Sequence, residues 1–243
     1  MKMSERFSRT ENLIGKAAVE KLRNSRVAVF GAGGVGGYCL EALARSGVGA
    51  IDIIDNDTVA TSNINRQIYA LNSTVGKYKV DVAKERIHDI HPDCKVNIYK
   101  LFYLPETADE IDLKNYDYII DAVDTVAAKL CLIERAIAAG VPVISAMGAG
   151  NKLDPTAFKV ADIYETKGCP LARVIRAECK KRGIKGLKVG YSEEKAIKPL
   201  NGADGQGVNG RKIAPASISF VPPVVGFIMA AEVVKDLIKG DNK

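Results

Sequence analysis

The chemistry in this chain begins with a glycine run, Gly31-Ala-Gly33-Gly34-Val-Gly36. It follows the apolar residues 27–30 directly and precedes a segment of helical pattern, the setting that the spacing G-x-G-x-x-G requires. There Gly31 permits a tight turn, Gly33 lets backbone approach a phosphate, and Gly36 lets helix and strand pack closely. The helix N-terminus adds free N–H groups and partial positive charge, so an anion is the expected guest. Nineteen residues past Gly36, Asp55 closes the second apolar run, placed to accept hydrogen bonds from a ribose. These features alone fit NAD as readily as ATP. Arg66 and, on the next helix, Lys79 supply the extra cations that a triphosphate needs, each such contact worth about 10²–10³ in rate. Asp124 follows the fourth strand in Asp121-Ala-Val-Asp124-Thr125, at the carboxyl edge where ligands bind in such sheets. A carboxylate beside a triphosphate is a natural anchor for Mg²⁺. Taken singly, a loop arginine is a solvated charge and Asp121 a turn cap; the ordered set is what points to a nucleotide.

The remaining reactive side chains say less. Five cysteines, none arranged as C-x-x-C, exclude a zinc site built on paired motifs and argue against a secreted disulfide framework. Cys169, just before Pro170 at a helix start, has two readings: a nucleophile with a stabilised thiolate, or a small turn residue, which is the plainer one. Cys39 and Cys131 fall on helices and are expected in the core. His88 and His91 are the two histidines; with so few a His-based triad is not expected, and no role is assigned to either.

The elements that must position these residues alternate. Residues 27–30, 51–54, 96–99, 118–120 and 141–145 read as strands, rich in β-branched side chains. Between them residues 35–45, 77–90 and 126–139 read as helices, and a helix over 15–23 precedes the first strand. Such repetition gives an α/β, Rossmann-like doubly wound and mostly parallel sheet with helices on both faces. Beyond Gly150 the rhythm changes to an irregular C-terminal third: strands near 158–163 and 187–191, a helix over 170–182, a glycine-rich loop over 199–212 and a closing helix over 223–238. Length, 47% hydrophobic and 26% charged residues exclude disorder, and with no linker or repeat a single domain over 1–243 is expected, its core within 1–150. Residues 213–231 carry no charge over a bilayer-spanning length, but Pro215, Pro222 and Pro223 interrupt them. Residues 1–11 are polar, unlike a signal peptide, so a soluble cytoplasmic protein is expected.

The combination GAGGVGG, DNDTVATSNINRQ, GKYK and DAVDT resembles the adenylating superfamily of ubiquitin-activating-type enzymes, with MoeB and ThiF as bacterial members. The resemblance implies ATP with Mg²⁺, conversion of a carboxylate to an acyl-adenylate, and release of pyrophosphate. Carried over by position, it puts Asp55 at the adenosine ribose, Asp57, Asn63, Arg66 and Lys79 around the phosphates, and Asp124 at the metal. Arg6-Phe-Ser-Arg9 is similar to the family's N-terminal R-x-x-R segment, which implies that Arg9 reaches the partner subunit's ATP in a homodimer. The segments RFSRTENLIGKAAVEKL, GAGNKLDPTAFKVADI and ISFVPPVVGFIMAAEVVKDLI resemble the branch of tRNA threonylcarbamoyladenosine dehydratases, which implies a modified tRNA as substrate and AMP-releasing ring closure; a sulfur-transfer partner is left open.

The charge distribution agrees with a polyanionic substrate. Between Lys167 and Lys212 twelve basic residues face four acids, a surplus of eight where the whole chain carries +6. Glutamates in place of Lys180, Lys181 and Arg182 are expected to weaken tRNA binding and flatten its salt dependence. Two rival functions stand beside this one. An activator of a small sulfur-carrier protein would adenylate a C-terminal glycine, and a nicotinamide-binding sensor or dehydrogenase would use the glycine fingerprint alone, leaving Asn63, Arg66, Lys79 and Asp124 unexplained.

Overall fold

The computed structural model describes residues 5–198 and 215–239. The glycine-rich loop read over 199–212 lies outside them, as do Asp204, Arg211 and Lys212. In chain order the elements are α1 (Ser8–Ile14), α2 (Lys16–Asn24), β1 (Arg26–Phe30), α3 (Gly36–Ser46), β2 (Ala50–Ile54), α4 (Lys79–Ile90), β3 (Lys95–Tyr99) and β4 (Tyr118–Asp121). Then come α5 (Val126–Ala139), β5 (Val143–Ala146), β6 (Phe158–Asp162), α6 (Pro170–Lys181), β7 (Lys188–Ser192) and α7 (Val221–Lys239).

One seven-stranded sheet runs through both the alternating first part of the chain and the C-terminal third, in the order β3-β2-β1-β4-β5-β7-β6. All neighbours are parallel except β6, which pairs antiparallel with β7 at the edge. Side chains alternate between faces as the two-residue period of a strand demands. Val27 and Val29 join Leu40, Val80, Ile87, Val225 and Met229 in one core cluster, whereas Ala28 and Phe30 join Ile133, Ala172, Ile175 and Val189 in the other. Helices therefore cover both faces, with α3, α4 and α7 on one and α5 and α6 on the other. In register, Phe30 lies beside Ile54 on β2 and beside Asp121 on β4, so these strands end level with one another. The order reverses between β1 and β4, which opens a crevice at their carboxyl ends.

Three details differ from the sequence reading. The N-terminal helical stretch is longer than 15–23 and is broken at Gly15, whose φ of 86° ends α1 before α2 begins. Helix α4 starts at Lys79 rather than residue 77, because Tyr78 is held extended in a bridge to Thr58. Helix α7 starts two residues early, with Pro222 and Pro223 in its first turn, where a missing N–H costs nothing. Among the described residues no helix is long and apolar enough to cross a membrane.

Candidate active site

A cleft of about 590 Å³ opens at the crevice between β1 and β4. Its floor is the turn from β1 into α3. Gly31 has φ +92°, and a Cβ there would sit 2.7 Å from the Ala122 carbonyl oxygen; one on Gly36 would sit 1.8 Å from the Gly31 oxygen. Both glycines are thus required for strand and helix to approach. Gly33 differs: a Cβ there would meet nothing nearer than Gln67 Nε2 at 3.8 Å, so the space above it belongs to the cleft. No side chain caps the α3 N-terminus, which leaves its dipole available to an anion.

Asp55 fixes this turn to the end of β2. One carboxylate oxygen accepts from the Ala32 N–H at 2.7 Å and the other from the Asp57 N–H at 2.7 Å, and each oxygen retains a lone pair. Burial pushes the Asp55 carboxyl above its ordinary value, partly offset by the Lys79 charge and the two backbone bonds. Lys79 is itself buried at the first turn of α4, where its ammonium meets the exposed Asp57 carboxylate at 2.7 Å. Asn63 uses its side-chain oxygen to take the Ala60 N–H at 3.1 Å, which holds the short helical turn at residues 61–63. Arg66 donates to the Ser62 carbonyl at 3.0 Å and to Asn65 Oδ1 at 2.8 Å, and meets no carboxylate among the described residues. Asp124 is exposed, and its one hydrogen bond there is a long one from the Thr125 hydroxyl, at 3.3 Å.

Of the residues the sequence singled out, Gly31, Gly33, Gly34, Asp55, Asp57, Asn63, Arg66, Lys79 and Asp124 line this one cleft. Gly36 lies beneath it as the packing contact. Arg9 does not line the cleft of its own chain; it is exposed on α1. Cys169 is buried among the α5/α6 core as the residue before α6 and also lies off the cleft, the placement of a small turn residue. Cys39 is buried, its thiol donating to the Gly226 carbonyl and pushed up to about 12 by burial, while Cys131 is half-buried. His91 is buried edge-on against Phe7.

Sequence reasoning missed several lining residues: Gln67, Phe102 and Tyr103 after β3, and Ala149 and Gly150 after β5. The available signal was positional, because whatever follows a strand in this sheet emerges at the carboxyl edge. Asn65 was missed as well. It accepts from Arg66 and donates to the Ser217 carbonyl at 3.0 Å, linking the guanidinium to the segment that leads into α7.

Among the described residues no three His, Cys, Asp or Glu side chains gather as a metal-binding group. A lone, solvent-facing carboxylate beside an anion site instead fits Mg²⁺, which keeps several waters and takes one or two carboxylates together with substrate phosphates.

Fold and cleft together define an adenylating-type nucleotide enzyme, and the chain belongs to the ThiF family, whose model matches residues 7–243. It is similar to the tRNA threonylcarbamoyladenosine dehydratase of Bacillus subtilis, 47% identical over 98% of this chain and 96% of that protein. It is also similar to the enzyme of that name from Escherichia coli, 37% identical over 80% and 76% of the two chains. Among solved structures, E. coli tRNA N6-threonylcarbamoyladenosine dehydratase in complex with ATP superposes with a TM-score of 0.85 at 32% identity, covering 97% of this chain and 94% of the other. Its complex with AMP superposes at 0.86.

Proposed function

We propose that the chain catalyses the ATP-dependent dehydration of threonylcarbamoyladenosine in tRNA to its cyclic form. The carboxylate of the modified base attacks the α-phosphorus of ATP, the bond to the β-phosphate oxygen breaks, and pyrophosphate leaves. A neighbouring nucleophile of the same nucleoside then attacks the acyl carbon and expels AMP, so water is lost overall. Proximity replaces a covalent enzyme intermediate in this scheme, in keeping with a buried Cys169 away from the cleft.

The observation that carries this reading is the convergence of Asn63, Arg66, Lys79 and Asp124 on one cleft with the glycine turn. Two cations together with a carboxylate placed to anchor a metal suit a triphosphate with Mg²⁺ better than the pyrophosphate of a dinucleotide. In the proposed site Asp55 binds the ribose, Arg66, Lys79 and Asn63 hold the phosphates, Asp57 orients Lys79, and Asp124 anchors Mg²⁺. The metal, when bound, neutralises phosphate charge. The chain works as a single adenylating unit and a cytoplasmic homodimer, with Arg9 completing the partner's site.

Mass analysis of nucleosides from modified tRNA, after incubation with protein, ATP and Mg²⁺, tests this. A nucleoside lighter by one water, with AMP formed in equal amount, is the expected result. Arg66→Ala and Asp124→Ala should each lower AMP release by about 10²–10³-fold with unchanged folding, since both side chains are solvent-accessible. AMP formed only when a Gly-Gly-tailed carrier protein is supplied would replace this function with sulfur-carrier activation.

A further inference from the structure

Beneath the cleft lies a charged group that the proposed chemistry does not use. Asp121, the last residue of β4, is fully buried, as are Lys129 on α5 and Ser145 on β5. One Asp121 oxygen accepts from Lys129 Nζ at 3.0 Å and from the Ser145 hydroxyl at 2.5 Å. The other accepts from the backbone N–H of Val123 at 3.2 Å. The Lys129 backbone N–H in turn donates to the Thr125 carbonyl at 3.0 Å. The turn over residues 122–125 is therefore fastened on both sides of Asp124, whose own carboxylate is almost unencumbered. None of the three buried side chains lines the cleft.

A buried ion pair contributes little net stability over apolar residues of the same shape, so its value is sought in the geometry it specifies. Here the geometry is that of one backbone turn. We propose that Asp121, held by Lys129 and Ser145, is a positioning carboxylate that sets the Val123–Asp124 turn and thereby the strength of Mg²⁺–ATP binding. This rests on the nucleotide reading of the cleft. It also assigns Lys129 and Ser145 a reason to be polar at positions where the core would otherwise be aliphatic.

Two double variants separate positioning from packing. D121N/K129M removes both charges but keeps an oxygen acceptor for the Val123 N–H and an amide donor for Ser145. D121A/K129M removes the acceptor as well; where the alanine does not fold, D121V/K129M fills the volume and still lacks it. ATP affinity is measured by titration calorimetry in saturating Mg²⁺ and again in EDTA. The expected result is that D121A/K129M binds ATP in EDTA like the wild type but loses about tenfold of the gain from Mg²⁺, the scale on which partners of a metal ligand act. D121N/K129M should recover most of that gain. Full retention of the Mg²⁺ gain in D121A/K129M, whatever its melting temperature, would overturn the assignment, as would failure of the asparagine to restore it. A wild-type chain that binds no ATP in either buffer would overturn the functional reading and the positioning role together, a result distinct from the other two.

Discussion

The three glycines of the fingerprint do different jobs, and their surroundings say which substitution harms what. A methyl group on Gly36 would lie 1.8 Å from the Gly31 carbonyl oxygen, in rigid backbone that cannot yield. Gly36→Ala should therefore cost upward of about 3 kcal/mol, at or beyond the usual range for overpacking. Gly33 has open space above it, so Gly33→Ala should leave the melting temperature within about 1 °C while weakening ATP binding at least about tenfold, because its methyl occupies the approach to phosphate. Thermal melts beside ATP titrations on the two variants check the contrast; equal losses of stability would contradict it. At this scale much of the candidate site was legible. Gly33, Asp55 and Asp124 could be picked out because they follow strands that the pattern locates, and Arg66 and Lys79 because a triphosphate would call for cations in the segment beyond β2. The pairing of Lys79 with Asp57, and of Asp121 with Lys129 and Ser145, was not, because nothing local marks a contact made only when separate elements meet.

Elements add a constraint that single residues hide. Glu41 on α3 is buried yet accepts from Arg45 on its own helix and from Arg86 on α4, both at 2.7 Å. Burial alone would push its carboxyl up, but the bonds from Arg86 and Arg45 outweigh it and hold the group below its usual range. Such a group stabilises the fold above the unfolded value near 4.5 and loses that contribution as pH falls through the lower folded value. Glu41→Gln should cost about 1–3 kcal/mol at neutral pH and make stability less steep in acid below about pH 4.5. Melting curves across that window test the sign. Helix α6 gives a second case. It follows Cys169, whose sulfur would lie 3.6 Å from a Cβ on Gly148 just past β5, and it leads into β7, which runs parallel to β5. Its N-terminal end therefore stands on the carboxyl side of the sheet, the side on which the cleft opens, with Lys180, Lys181 and Arg182 toward the amino side. Two of those three are also committed, Lys181 to Glu178 and Arg182 to both Glu134 and Glu178. Lys167→Glu with Arg173→Glu should thus cut tRNA affinity more than the triple change at 180–182, and lower the salt slope by about 2. Filter binding over a salt series compares them. The strands and most helices could be read from β-branched runs and amphipathic spacing, whereas the break at Gly15 rests on one backbone conformation and the antiparallel course of β6 on its pairing with β7, neither of which periodicity encodes.

At the scale of the whole molecule, Arg9 poses the remaining question, since it is exposed on α1 and does not line the cleft of its own chain. If it serves a partner's ATP in a two-fold dimer, each site draws Arg66 from one chain and Arg9 from the other. Arg9→Ala and Arg66→Ala should then each be inactive as pure dimers. In a mixed dimer, the chain that keeps Arg66 receives an intact Arg9 from its neighbour, and the other site lacks both arginines. Random mixing makes about half of all dimers mixed, each with one working site of two, so co-refolded chains should regain about a quarter of wild-type AMP release. An arginine acting within its own chain allows no such recovery, because every site would still lack one of the pair. AMP release from equimolar co-refolded variants, set against each variant refolded alone, decides between the arrangements without requiring a structure of the dimer.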